Sequence, residues 1–546
     1  MIRRLLGGIV FMIAYLISPA SLDACTNLIV TKGASKDGSV IVTYTCDGEF
    51  HPHLRYSPAA DHGPDDVVEI KDWSGNVLGE VKQVPHTYAV IGLMNEHQLV
   101  IGETTFTGRE ELQNPEGLLH YWWLMRLALQ RARTARQAVE VIAGLVEEYG
   151  YKSSGESISI ADPEEAWLLE IIGPGPGGSG ANWIALRIPD GYVCAHANKA
   201  KIGEFPLDDG DNCLYSKDIV EFAIDRGYYD PGSGKPFVFH EAYCPPTPQK
   251  LRYTATRVWS FYRRIAPSND WPVDYHRGVE GAEPYPLWVK PEGKLSLRDV
   301  IALMRDHYEG TDFDMTRGVD AGPFGTPNRW RPMNWDIDGI DYTWERPIST
   351  QQTGFSFVSQ SRSWLPDPVG GLLWYGVDDT YTTCYVPLYC GIASAPDCFA
   401  KGRISEFSWE SAWWAFNFVA NFANLKYSYM IEDIKAVQSE LEERFLALQP
   451  SIERTALDIF ERDASLMQSY LTEYSGNRAA ETVERWRRLG EELIVKYNDG
   501  YVRNQDGRHQ EVGYPESWLM NVQRLRPHQF ELERWGSDSL ETDLPY

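Results

Sequence analysis

Basic residues are scarce in this sequence. Its 546 residues hold 51 Lys and Arg against 77 Asp and Glu, a formal charge of −26. Such a surface repels nucleic acid and anionic lipid, so neither is expected as a partner. After Ile17 no apolar run is long enough to span a bilayer. Cysteine is sparse: eight residues, at 25, 46, 194, 213, 244, 384, 390 and 398, in spacings that fit no zinc module. His51-Pro52-His53 is the only tight histidine pair, and a loop pair of that kind is more often solvated than metal-bound. No metal or cofactor is expected. A Gly-x-Ser-x-Gly elbow is missing. The glycines of 173–178 are not followed by Lys-Ser/Thr, and Gly234-Lys235 runs into Pro236, which spoils a phosphate-binding loop.

Apolar residues are plentiful, at 43%, with 19 Trp and 30 Tyr, enough to bury a sizeable core and far from a disordered composition. The N-terminus has the form of a leader. Arg3 and Arg4 precede an apolar run from Leu5 to Ile17, then a stretch ending at Asp23-Ala24. Cleavage after Ala24 makes Cys25 the first residue of the mature chain. Such a cysteine carries a thiol of ordinary pKa about 8.5 and an α-amine of about 7.7–8.0 on the same carbon. It supplies a nucleophile and a general base together. Two other readings compete. Cys25 is a buried or disulfide-bonded residue that falls there by chance, or it is a lipoprotein cysteine, since Leu22-Asp23-Ala24-Cys25 resembles a lipobox. Asp23 is unusual in a lipobox, and no Ser/Gly tether follows; Thr26 to Val30 reads directly as a strand. With Cys25 set aside, seven cysteines remain, so at least one more stays unpaired; Cys390 and Cys398 are near enough to pair.

Along the chain, residues 25–46 predict a hairpin around Lys36-Asp37-Gly38-Ser39, whose return strand brings Asp47 towards the level of Cys25. Strands are expected at 66–70, 77–82, 88–94 and 99–105. An apolar helix is expected over 118–133. A second helix should open at Thr134 and Gln137 in a capping-box pattern and end at Gly150. Further strands are expected at 157–160, 166–171, 183–187, 192–196, 354–360, 371–376 and 384–388. Residues 205–300 read as short helices among Pro-rich insertions, with a helix at 297–308. From 408 four helices are expected, broken at Pro450 and Gly476.

Several motifs then fall in order: Cys25-Thr26-Asn27 after a leader, Asp37-Gly38-Ser39, Met94-Asn95-Glu96-His97, Ile101-Gly102-Glu103-Thr104-Thr105, Gly155-Glu156-Ser157, His196-Ala197-Asn198, Tyr308-Glu309-Gly310-Thr311, Asn328-Arg329-Trp330 and Gln360-Ser361-Arg362. Together they resemble the N-terminal-cysteine dipeptidases, relatives of the lactic-acid-bacterial broad-specificity dipeptidase and of secernins, across nearly the whole mature chain. The resemblance implies an α+β fold, a four-layer αββα sandwich of N-terminal-nucleophile (Ntn) hydrolase type over 25–400, followed by a helical region over 401–546. It also implies hydrolysis of dipeptides through a cysteinyl thioester. Carried over by position, Cys25 is the nucleophile, Asp47 the carboxylate beside its amine, and Asn198 an oxyanion donor. Thr104 is a second oxyanion or substrate contact, and Arg257 a cation near the nucleophile that favours thiolate. Glu103, Asn95 and Glu96 are substrate-side candidates, the two glutamates for an ammonium group. Many relatives carry an arginine three residues before the aspartate; here Tyr44 stands there, leaving Arg257 to compensate or specificity to differ. The expectation is an exported dipeptidase, periplasmic or extracellular, with no membrane anchor after leader removal. An N-acyl amide hydrolase of the penicillin-acylase or bile-salt-hydrolase type and a lipid-anchored surface binding protein are the alternatives.

Overall fold

The computed structural model describes residues 25–532. The expected leader, 1–24, lies outside them. After β1 (Asn27–Val30) and β2 (Ile41–Asp47) the chain forms β3 (Val100–Phe106), then helices α1 (Tyr121–Arg131) and α2 (Ala135–Tyr149). Strands β4 (Gly155–Ala161), β5 (Ala166–Ile172), β6 (Asn182–Arg187) and β7 (Val193–His196) follow, then helix α3 (Pro248–Ile265). Next come β8 (Thr353–Gln360), β9 (Leu372–Val377) and β10 (Val386–Tyr389), then helix α4 (Ala412–Ala423) and the long helices α5 (Tyr427–Phe460) and α6 (Ala464–Tyr497), with a short hairpin and the helix Glu516–Leu525 after them. The fold is of the mixed α+β class.

Two large antiparallel sheets hold the core. One runs β7-β1-β2-β8-β9-β10, with the short strand Trp288–Val289 at its edge. The other runs β6-β5-β4-β3, extended by short strands at both ends. The expected hairpin is present: Ile29 pairs with Val42 and Val30 with Ile41. Its turn is held by the Asp37 carboxylate, which accepts from the Ser39 N–H and hydroxyl at 3.1 and 2.7 Å. Helices α1 and α2 pack on β3, β4 and β5; α3 packs on β7, α4 on β9 and α6 on β10. Strands β4 and β5 are buried along their whole length, because a helix covers one face and the other sheet the opposite one.

The two sheets are pinned by polar side chains. His196 on β7 places its two ring nitrogens 2.8 Å from the Thr104 hydroxyl and 2.7 Å from the Ser159 hydroxyl, on β3 and β4. Asn27 on β1, with its amide oriented to satisfy both ends, accepts from the Glu103 N–H and donates to the Glu103 carbonyl, each at 3.2 Å. It thereby pairs with β3 as a strand would. Gly102 makes this approach possible: a Cβ there would sit 2.9 Å from Asn27 Nδ2 and 3.2 Å from Tyr44 Cβ.

Several elements differ from expectation. The Thr134 hydroxyl caps α2 by accepting from the Gln137 N–H, but the Gln137 side chain reaches back to the Arg133 N–H rather than to Thr134, so the box is not reciprocal. Strand 88–94 shrinks to two-residue strands at Val90–Ile91 and Met94–Asn95. The expected breaks at Pro450 and Gly476 do not occur; both residues lie inside helices, and the chain turns at 424–426 and 461–463 instead. Pro450 is exposed. Its lost backbone bond costs about 3 kcal/mol, which the packing of α5 along α6 outweighs. Asp463 marks the real boundary, accepting from the Ser465 and Leu466 N–H groups at 2.9 and 3.1 Å. Helix α3 went unread because the prolines before it look like loop. Yet Thr247 caps it and Pro248 occupies its first turn, where a missing N–H costs nothing.

Burial drives the His196, His240 and His276 imidazoles down to about 3, so all three are neutral in the folded chain. The unfolded chain takes up a proton at each below about pH 6.5. Their contribution to stability is therefore full above that pH and drains as pH falls towards 3. Denaturant melts at pH 7 and 5 should show this loss. His196→Leu, which strands the Thr104 and Ser159 hydroxyls, should cost about 2–5 kcal/mol at pH 7 and remove about 1 kcal/mol per pH unit of the acid sensitivity. An unchanged pH slope would mean that His196 does not titrate this way.

Candidate active site

Cys25 heads the strand that ends in the inter-sheet layer and is 1% exposed. Four elements converge on it. From β2 comes Tyr44, from β3 Glu103, from α3 Arg257, and from the loop after β7 Asn198. The thiol donates to Glu103 Oε1 at 3.5 Å and to the Tyr44 hydroxyl at 3.9 Å. Tyr44 donates to the same Glu103 oxygen at 2.5 Å. The Thr105 hydroxyl reaches Glu103 at 3.5 Å and Glu156 at 3.0 Å, and so links the carboxylate at the sulfur to a second buried one. Burial, then Cys46, then Glu103 push the Cys25 thiol well up. Burial and the same acidic surroundings push up Tyr44 and Tyr121. At neutral pH these groups are proton donors, and the sulfur is a thiol rather than a standing thiolate.

The backbone of the first residues is clamped from the other side. Arg257 donates to the Cys25 carbonyl at 2.6 Å and to the Thr26 hydroxyl at 2.8 Å. Its second nitrogen donates to Asn198 Oδ1 at 2.8 Å. Burial, with Arg346 nearby, lowers its guanidinium to about 9, which leaves it cationic at neutral pH. Asn198 sits at φ 57° and donates to the Thr105 carbonyl at 2.7 Å. Asp47 ends β2, where its carboxylate accepts from Thr45 at 2.9 Å and Thr353 at 2.6 Å, and pairs with Arg346. Thr45 in turn accepts from the Thr26 N–H at 3.0 Å. A continuous hydrogen-bonded path thus joins Asp47 to the residue after the nucleophile.

The structure brings Cys25, Asp47, Glu103, Asn198 and Arg257 together. It places the other candidates elsewhere. Thr104 gives its hydroxyl to His196 in the inter-sheet layer. Asn95 donates to the carbonyls of Leu129 and Ala132, both at 2.8 Å, and so satisfies the orphan acceptors at the end of α1. Glu96 accepts from the Ala89 N–H in a turn. Arg257 lies on the Cys25 carbonyl instead of the sulfur, and burial, Cys46, Glu103 and Asp47 push the thiol up. All eight cysteines are free, Cys390 and Cys398 included. Sequence reasoning missed Arg346, Thr26, Tyr44 as a contact of the nucleophile, and Glu156. Only Glu156 carried a signal, an acidic residue in an otherwise apolar and hydroxylic strand.

The site thus gathers a buried cysteine with a carboxylate on its sulfur, and an aspartate, an asparagine and two arginines bonded around the backbone that follows it. The family model described as peptidase family C69 matches residues 24–440, and the chain belongs to that family. Its curated relatives include a probable dipeptidase of Salmonella dublin, 27% identical over 414 residues, spanning 72% of this chain and 86% of the relative. A probable dipeptidase of Latilactobacillus sakei is 24% identical, spanning 80% and 89%. A dipeptidase of Bifidobacterium longum is 26% identical, spanning 73% and 76%. The matched region begins one residue before Cys25.

Asn198 gives the sharpest test of this geometry. Its positive φ is one that glycine adopts freely, so Asn198→Gly removes the amide with little backbone cost. Peptide hydrolysis by the folded variant should fall roughly 10²–10³-fold in kcat, the usual loss for one preorganised oxyanion donor. A fall of less than about threefold would take Asn198 out of the oxyanion site.

Proposed function

We propose that this chain is an exported dipeptidase, freed of its leader at Ala24–Cys25, that acts through a thioester on Cys25. In this reading the Cys25 amine accepts the thiol proton as sulfur attacks the scissile carbonyl carbon. A standing thiolate is not required, which suits a thiol whose surroundings oppose ionisation. The carbonyl oxygen becomes an oxyanion that takes an N–H of Asn198. The ammonium then returns its proton to the leaving amine, the peptide C–N bond breaks, and the thioester remains. Water, deprotonated by the same amine, releases the acid and restores the thiol. Helices packed on both large antiparallel sheets support reading the α+β fold as the αββα sandwich that the resemblance implies.

One observation carries the choice of substrate: the Glu103 carboxylate lies 3.5 Å from the nucleophilic sulfur. In a dipeptide the α-ammonium is bonded to the carbon next to the scissile carbonyl. It must therefore enter this same shell, where Glu103 offers an opposite charge. An N-acyl amide would bring apolar chain to that place and offer the carboxylate no opposite charge. The lipid-anchored reading is disfavoured by the burial of Cys25 and by a strand that starts two residues later.

A panel of alanyl-alanine, its N-acetyl derivative and an N-acyl amide decides between the readings. The free dipeptide should be cleaved with kcat/KM at least about 10²-fold above the acetylated one, since a site built for a charged donor rejects its absence strongly. Glu103→Gln should lower the first and narrow the ratio. Cleavage of the N-acyl amide in preference to the dipeptide would favour the acylase and sink the proposal.

A further inference from the structure

Asp47 is compensated by a residue nearly three hundred positions away in sequence. Arg346 is 3% exposed. Its guanidinium pairs with Asp47 Oδ2 and donates to the Thr26 hydroxyl at 3.2 Å and the Pro347 carbonyl at 2.6 Å. The Tyr308 hydroxyl donates to the Arg346 carbonyl and pins the backbone that delivers the side chain. Asp47 receives two hydroxyl bonds besides, from Thr45 and Thr353. Both ends of this ion pair are therefore fixed, and the pair touches the residue next to the nucleophile.

We infer that Arg346 is a positioning residue that neutralises Asp47 beside the Cys25 amine and thereby sets the pH at which that amine becomes the base. The inference rests on the proposed role of the amine and on the place beside it that the resemblance gives Asp47, which here reaches the Thr26 N–H through Thr45. A bare buried carboxylate would favour the ammonium and hold the base protonated at neutral pH. An arginine bonded to it removes most of that field while keeping the carboxylate in place to orient the N–H groups. Tyr44, which stands near the thiol, supplies no charge for this purpose. The charged and titratable groups acting on the Cys25 side chain include Cys46 and Asp47 on β2 and Glu103 on β3, with Tyr44 on β2 and Tyr121 on α1 coupled to the same carboxylate, while Arg257 on α3 bonds the Cys25 carbonyl and Arg346 pairs with Asp47. Tyr253 and Tyr308 face the Arg346 guanidinium. Glu103 is the other anion close to the sulfur, and Arg257 the other cation, bonded to the Cys25 carbonyl. Arg346 is the cation bonded to Asp47.

The test is the acidic limb of kcat against pH for the processed enzyme, in a cycle of variants. Asp47→Asn leaves the arginine uncompensated and should move the limb to lower pH. Arg346→Met leaves the carboxylate uncompensated and should move it up by about one unit. The double variant removes both charges and should return the limb to within a few tenths of wild type. Arg346→Lys should keep the limb near its original place while kcat falls, because an ammonium cannot span Asp47 and Thr26 as the planar guanidinium does. If Arg346→Met does not fold, the comparison of Asp47→Asn with the double variant still decides. A double variant whose limb coincides with that of Asp47→Asn overturns the inference and leaves the amine mechanism standing. A limb that Asp47→Asn itself does not move overturns both. A fall in kcat or melting temperature with no movement of the limb in any variant reveals a purely structural arginine.

Discussion

The hydroxyl of Thr26 is where the site is tied together. It accepts from Arg257 on one side and Arg346 on the other, at 2.8 and 3.2 Å, while the Thr26 N–H donates to Thr45. Thr45 passes the connection to Asp47. The backbone beside Cys25 is thus held by two buried guanidiniums and a strand partner. Pre-set geometry of this kind is what catalysis by position and electrostatics requires.

Holding Cys25 also means holding the two sheets in register. The nucleophile and Asp47 ride on β1 and β2 of one sheet, Glu103 on β3 of the other. Asn27 and His196 bridge the gap between the sheets with hydrogen bonds on both sides. A shift of one sheet would separate Glu103 from the sulfur, while the path to Asp47 stays within its own sheet. The polar residues in this layer are thus part of the functional geometry, although none of His196, Thr104 or Ser159 bonds to the thiol.

Much of this was legible in the sequence, for identifiable reasons. The leader-like pattern before it drew attention to Cys25, whose contacts the fold then supplies, and the hairpin turn at 36–39 placed Asp47 on the return strand. Apolar runs bounded by glycine located β3 to β10 within a few residues. Asn198, Thr104 and Arg257 came from the resemblance and not from local pattern. Local pattern failed where tertiary forces decide. Asn95 and Glu96 are polar and motif-like, yet their hydrogen bonds close a helix end and a turn. Pro450 and Gly476 carry the marks of breakers, but long-helix packing exceeds their cost. Arg346 was invisible because nothing within its own neighbourhood points to Asp47; the pairing exists only once β2 and the segment before β8 lie side by side.

The central constraint on the chemistry is a thiol that its own surroundings keep protonated. Burial, Cys46 and Glu103 all act in that direction, so a base must take the proton in the act of attack. Neither ring nitrogen of His196 is available, both being committed to hydroxyls. His97 has its Nδ1 3.1 Å from Asp367. In the proposed mechanism that base is the amine that Cys25 gains when the leader is removed, and Glu103, which accepts from the thiol, holds the sulfur in place. The most direct test is to compare the processed chain with one bearing a single uncleavable residue ahead of Cys25, each checked by intact mass and circular dichroism, on one dipeptide. The account predicts that the extended chain folds, keeps its thiol and loses turnover, because its amide nitrogen cannot take a proton near pH 7. Equal turnover by the two chains would contradict it.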